Sequence, residues 1–573
     1  MFSMKNLVVA GLALVQGSLA SLQIVPAATW TASGTNQHVQ AHGGGIIEVD
    51  SVYYWIGENK LNGSAFQSVN CYSSTNLVEW TFVGELLSLQ SSGDLGPSRI
   101  VERPKVIYND ATSKYVMWMH IDSSSYGEAK TGVATGSSVC GKYNYLGSFQ
   151  PLGFQSRDMG LFKDDDGSAY LLSEDRPNGL RIDRLTDDYT NVTSNIYLWS
   201  EHIEAPAVFK KDGVYFMFGS QLTATNDNKY STATSLSGPW SSWANFAPTG
   251  TNTYNSQTTF ILGVGSNVMY MGDRWLSTNL MASTYIWLPL TLSGTNASLT
   301  KTFQTPQTNE DSWIISTQQS WSTSPAKTTP EAESSSNTLS NGAVTLTCSG
   351  CSGSKSVGYL GGSSDGTLKF NGVSSNATTK TTIQVRYENG DSSQRYATVT
   401  VNGNSQVLAF IPSTNGNTPF SSTLNVELNA GSSNVITIAG YGSGWACPWL
   451  PWTIFGDAPS IGTTDDERCY PIYSIPNTLP RADAKMKPVV SALNAWSCVV
   501  ISVFAIVILS VLGSLFGSNN HSFTGSEGSP EDGPAVAASI YVAVIVYAGF
   551  FVFCGFQAYL HLRDSRGGAI SLR

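Results

Sequence analysis

Between residues 48 and 274 one phrase recurs five times, and no other feature of the chain restricts its fold so strongly. Each copy is a turn rich in Asp, Asn or Gly followed by an aromatic, apolar strand. The copies are "EVDSVYYWIG" from 48, "YNDATSKYVMWM" from 108, "KDDDGSAYLLSE" from 163, "KKDGVYFMFGS" from 210 and "GVGSNVMYMGDR" from 263. Their tyrosines, Tyr54, Tyr115, Tyr170, Tyr215 and Tyr270, are 61, 55, 45 and 55 residues apart. Hairpins repeated at such a period are the mark of propeller blades, and five repeats predict five blades. A sandwich with many hairpins has no reason to keep so regular a period.

The texture then changes. A Ser/Thr/Pro-rich connection over 323–330 follows the predicted propeller of 21–322. Residues 331–460 carry short alternating strands such as "TTIQVRYENG" and "NVITIAGYG", which predict a β-sandwich. After a second connection, 461–485, the stretches Ala492 to Phe516 and Ala535 to Leu560 are long and nearly uncharged. Each suffices for a membrane span, so 486–573 is expected to form a transmembrane hairpin. The expected fold class is all-β, a five-bladed propeller followed by a sandwich, with two helices at the C-terminal end.

The first 20 residues read as a secretory signal peptide closing on Ser18-Leu19-Ala20. That predicts a secreted chain, glycosylation at Asn62, Asn191, Asn296 and Asn376, and pairing of Cys71 with Cys140 and of Cys348 with Cys351. A net charge of −10 leaves no electrostatic footprint for nucleic acid.

Inner strands of a propeller begin at the central channel, and three predicted starts carry acids: Glu102 in "ERPKVIY", Asp158 in "SRDMGLF" and Glu204 in "EAPAVF". Any one alone could be a solvated strand end or a partner of Arg103 or Arg157. Three at matching places suit glycosidic cleavage, in which a protonated carboxyl gives its proton to the leaving oxygen while neighbours hold its pKa up.

"RDMGLFKDDDGSAYLL" and "IEAPAVFKKDGVYFMF" resemble glycoside hydrolase family 43, and "AHGGGII", "VERPKVIY" and "NSQTTFI" resemble its exo-β-1,3-galactanase branch. The resemblance implies an inverting glycosidase that needs no cofactor and acts on a β-1,3-galactan or arabinogalactan. By it, Glu204 is the general acid and Asp158 the carboxylate that tunes and orients it. Most of the family has an Asp base in the first blade, where this chain has His42 and glycines; the galactanase branch instead presents a Glu and a Gln, matched by Glu102 and Gln257. Either Gln257 orients the water, through its imidic tautomer, or Glu102 acts as base through a water. His42, Tyr126, Asn178 and Thr225, on loops that could close over a galactosyl unit, are the expected sugar-binding positions. An arabinofuranosidase or xylosidase of the same family, or an inactive galactan-binding lectin, is the competing reading.

The second domain resembles carbohydrate-binding module family 35, whose structural calcium implies Glu331 and Glu333 as ligands. "CPWLPWTIFGD" replaces the usual closing segment, so a missing final strand is expected. From Met486 the chain resembles subunit f of the V-type proton ATPase membrane sector. A secreted head would place the acidic loop with Glu527, Glu531 and Asp532 in the cytoplasm and the flanking Arg and Lys outside, against the positive-inside rule. Opposite topologies in one chain are what two merged neighbouring genes would produce. A membrane contact through 490–560 is expected only if the tail belongs to the hydrolase.

Overall fold

The computed structural model describes residues 22–222, 227–299, 330–347, 354–413 and 420–442, with shorter stretches within 313–328, at 449–455 and within 492–554. The signal segment, Thr225, Cys348 and Cys351 lie outside the described residues. The chain divides into two units, Met1–Tyr473 and Ser474–Arg573.

The first unit is all-β. Five four-stranded antiparallel sheets follow one another as simple meanders, beginning with the strands His42–Val49, Ile100–Asn109, Met159–Lys163, Ile203–Lys211 and Gln257–Val264. Each first strand packs beside the first strand of the next sheet, and the fifth packs beside the first, closing a ring. The five repeated phrases are the first hairpins of these sheets: Tyr54 pairs with Ile47, Tyr115 with Tyr108, Tyr170 with Phe162, Tyr215 with Lys210 and Tyr270 with Ile261. Second strands such as Val214–Gln221 are buried along almost their whole length because both faces meet a neighbouring sheet. Hence "VYFMF" reads as an apolar run rather than an alternation. Its hairpin turns through Asp212 and Gly213, at φ 50° and 78°, where a two-residue turn of matching twist needs positive φ.

Near the start of four first strands the ladder bulges, between His42 and Gly45, Glu102 and Lys105, Glu204 and Ala207, and Thr258 and Phe260. Two of these bulges explain the prolines. Pro104 and Pro206 occupy unpaired positions where a missing N–H costs nothing, after Arg103 and Ala205 at φ 54° and 56°. The bulge turns the side chain before it out of the regular ladder. Cys71 and Cys140 form the expected disulfide, joining the first sheet to the second.

Two further sheets enclose a separate core that includes Leu368, Phe370, Tyr387, Phe410 and Ile438. The expected loss of the closing strand is corrected here: Trp449–Phe455 lies in the sheet between Thr379–Tyr387 and Lys355–Gly358. Its register shifts between Trp449 and Trp452, where Pro451 has no N–H to contribute. Thr29–Trp30 joins the same sheet in parallel, opposite Ser422 and Thr423. The segment leading into the ring is thereby stitched to the sandwich, and Lys380 meets Glu79 at 2.7 Å across the contact.

In the second unit the helix Ala492–Gly517 covers the first expected span. Among the described residues, however, no helix is long and apolar enough to cross a membrane, so the expected transmembrane hairpin is not found.

Candidate active site

A cavity of about 460 Å³ is lined by residues from all five sheets, among them Glu58, Glu102, Asp158, Glu174, Glu204 and Gln257. That size falls within the range of small-ligand sites. Oxygens of Asp158, Glu174 and Glu204 lie within 4.8 Å of one another, and Glu102, His120 and Asp158 are gathered equally closely. Such crowding is tolerated because cations sit between the acids. Arg103 Nε stands 2.9 Å from Asp158, and Arg176 reaches Glu174 at 2.6 Å and Glu204 at 3.5 Å.

Glu102 is held from three directions: Tyr126 Oη donates to it at 2.8 Å, His120 Nδ1 lies at 3.2 Å and Lys60 Nζ at 3.8 Å. Burial alone would raise its pKa, but His120, Lys60 and Tyr126 together hold it at about 2. His120 has carboxylates on both ring nitrogens, with Asp122 3.1 Å from Nε2. Burial opposes its charge, yet the bonds to Asp122 and Glu102 prevail and carry it up to about 9. Glu174 and Glu58 are raised, each chiefly by burial.

Linkage gives this cluster a pH signature. A pKa raised from 6.5 to about 9 makes the contribution of His120 to stability complete below pH 6.5 and lost as pH rises through 9. Buried Lys105, lowered by desolvation and then by Arg103 to about 7, acts in the opposite sense over the alkaline range. The comparison of wild type with His120→Asn separates the two. The stability gap in denaturant melts is expected to be widest near pH 6 and to shrink by about 3 kcal/mol by pH 10. A gap that does not change with pH contradicts the assignment.

The expected sugar-binding positions divide. Tyr126 lines the cavity; Asn178 is exposed in the turn after Asp175 and donates to that residue at 2.9 Å, outside the cavity lining. His42, expected on a loop, is instead fully buried, with Nδ1 3.1 Å from Asp273 and its ring stacked on Tyr285. The glycines after it have a steric cause. A Cβ at Gly43, at φ 58°, would stand 2.1 Å from Glu58 Oε1, so the first sheet's bulge closes on Glu58.

Glu58, His120, Glu174, Arg176 and Trp275 were not singled out from the sequence. The first three belong to second strands, where pairing sets Glu58 opposite His42 and His120 opposite Glu102, while the Glu174 N–H bonds the Asp158 carbonyl. Extending each hairpin register back from its turn would have found them.

In the sandwich, Glu333 Oε2 is buried without a hydrogen-bond partner, the kind of oxygen a hard cation satisfies, and Glu331 lies two residues away. Among the described residues no third acid, His or Cys gathers with them.

A ring of sheets whose bulged strand starts gather carboxylates around a sugar-sized cavity defines a glycosidase. Residues 41–274 match Glycosyl hydrolases family 43, and residues 486–563 match V-type proton ATPase subunit f-like proteins. The chain superposes on a variant of the exo-β-1,3-galactanase from Phanerochaete chrysosporium bound to β-1,3-galactotriose. The two are 39% identical, with a TM-score of 0.52, and the match covers 76% of this chain and all of that one. The same enzyme with galactose superposes equally well, over 75% of this chain. The tail is 59% identical over 78 residues to V-type proton ATPase subunit f of Saccharomyces cerevisiae, 14% of this chain and 92% of that one. The chain belongs to glycoside hydrolase family 43 and carries a C-terminal region of the subunit f type.

Proposed function

We propose that the first unit is a five-bladed propeller acting as a secreted, inverting exo-β-1,3-galactanase, with the sandwich as its sugar-binding module. The observation that carries this is the gathering of Glu204, Asp158 and Glu174 within 4.8 Å of one another, with Gln257 bonded to Glu204, in one cavity of a chain similar over 76% of its length to a galactanase crystallised with β-1,3-galactotriose. In this reading Glu204 protonates the glycosidic oxygen. Asp158, fixed by Arg103, orients and tunes it. Glu102 and Gln257 face the water that attacks the opposite side of the ring, and no cofactor enters the reaction. Glu331 and Glu333 would hold a structural Ca²⁺ beside the loop that opens the sandwich.

The test is substrate choice. Purified protein is expected to release galactose from β-1,3-galactan and to leave arabinan and xylan intact. Release of arabinose or xylose instead would favour an arabinofuranosidase or xylosidase of the same family. Binding of galactan without release of sugar would favour a lectin.

The sandwich exposes Tyr441, whose ring lies 6.0 Å from that of Tyr396. An exposed aromatic ring such as that of Tyr441 suits the apolar side of a sugar. Tyr441→Ala is expected to weaken retention on insoluble galactan at least threefold while leaving hydrolysis of galactotriose unchanged. Equal retention by the variant would place the sugar elsewhere.

For the tail, the likeness to subunit f favours a separate role in a proton pump, joined to the hydrolase by the merging of two coding regions. Amplifying cDNA across codons 440 to 490 tests this. Two messages are expected, and one continuous message would contradict it.

A further inference from the structure

Gln257 is held on both faces of its amide. Its Oε1 accepts from Trp275 Nε1 at 2.8 Å and from Arg103 Nη2, while its Nε2 donates to Glu204 Oε1 at 2.7 Å. An indole N–H and a guanidinium can only donate, so these two donors alone fix the orientation of the amide and turn its N–H₂ toward Glu204. Turned round, the amide would set its NH₂ against two donors. Arg103 is itself anchored, with Nη1 donating to the Thr258 carbonyl at 2.9 Å and Nε against Asp158.

Building on the hydrolase reading above, we infer that Trp275 is a positioning residue, acting through Gln257 to keep the amide N–H₂ turned toward Glu204. Two consequences follow. An imidic form of Gln257 would carry its proton on Oε1, facing groups that offer no acceptor, so the side chain works as an amide that orders the site rather than as a proton acceptor. The indole N–H also matters more than the bulk of the ring. Trp275 lines the cavity, but its hydrogen bond points to protein rather than to the space a sugar would fill.

The experiment is a double-mutant cycle with Trp275→Phe and Gln257→Ala, read as galactose released from β-1,3-galactotriose by concentrated enzyme over days. Trp275→Phe keeps an aromatic ring and removes the N–H. It is expected to lower kcat about fivefold to tenfold with KM within about twofold. Added to Gln257→Ala, it is expected to lower the residual rate less than about twofold, because the residue it acts through is gone. Trp275→Tyr, which also lacks the indole N–H, serves if the Phe variant does not fold. An unchanged kcat, a loss confined to KM, or a loss carried undiminished into the Gln257→Ala background would each overturn the inference. A wild type that releases no galactose overturns the hydrolase reading and this proposal with it, whereas an active wild type with an unaffected Trp275→Phe overturns this proposal alone.

Discussion

Replacing Glu204 by Gln is expected to lower kcat on β-1,3-galactotriose by about 10³-fold or more while leaving the affinity for the trisaccharide within a few-fold of wild type. The amide keeps the size of the carboxyl and its oxygen can still accept from Gln257, while it gives up the longer contact to Arg176 at 3.5 Å, so binding is largely retained. It has no acidic proton to give the leaving oxygen, and general-acid contributions of about 10²–10⁴ are usual. Kinetics on the trisaccharide, paired with calorimetric titration of the variant, reads both quantities. Full turnover by Glu204→Gln would remove Glu204 from the acid's role. Equal binding with no turnover by either form would make the chain a lectin.

The second large effect is on stability. Arg103 is almost fully buried and ties its own sheet to three others: its side chain holds Asp158, Gln257 and the Thr258 carbonyl, and its backbone N–H donates to Glu58 at 2.8 Å. Arg103→Leu keeps much of the volume but leaves Asp158 at the cavity without its cation. Breaking a buried pair from one side costs about 3–5 kcal/mol, so a loss of that order in guanidinium melts is expected, together with loss of activity. Arg103→Leu paired with Asp158→Asn is expected to recover part of the stability and none of the activity. If Arg103→Leu alone melts as wild type does, the cation is not what allows the acids to crowd together.

The repeat made the ring legible because each second strand carries, just after its turn, an aromatic and apolar stretch squeezed between neighbouring sheets. Glu102, Asp158, Glu204 and Gln257 were legible because the strand starts announce themselves through proline or through likeness to known blades. Glu58, His120 and Glu174 were not, since their place depends on register counted back from the hairpin turn. His42 was placed wrongly on a loop because three glycines suggest an open loop, whereas the chain uses them to close a bulge on Glu58. The closing strand of the sandwich was missed because Pro451 and paired tryptophans disguise it; a register shift accommodates the proline. The tail was legible as a subunit f relative from its sequence, yet its expected spans are not met by any described helix.

The most direct test of an inverting galactanase is the anomeric form of the first sugar released. Wild-type protein mixed with β-1,3-galactotriose and followed by proton NMR within the first minutes is expected to show α-galactose first, with the β form appearing only as the free sugar mutarotates. An initial signal from β-galactose would mean retention, with a covalent intermediate, and would contradict the roles given to Glu204 and to the water held near Glu102 and Gln257.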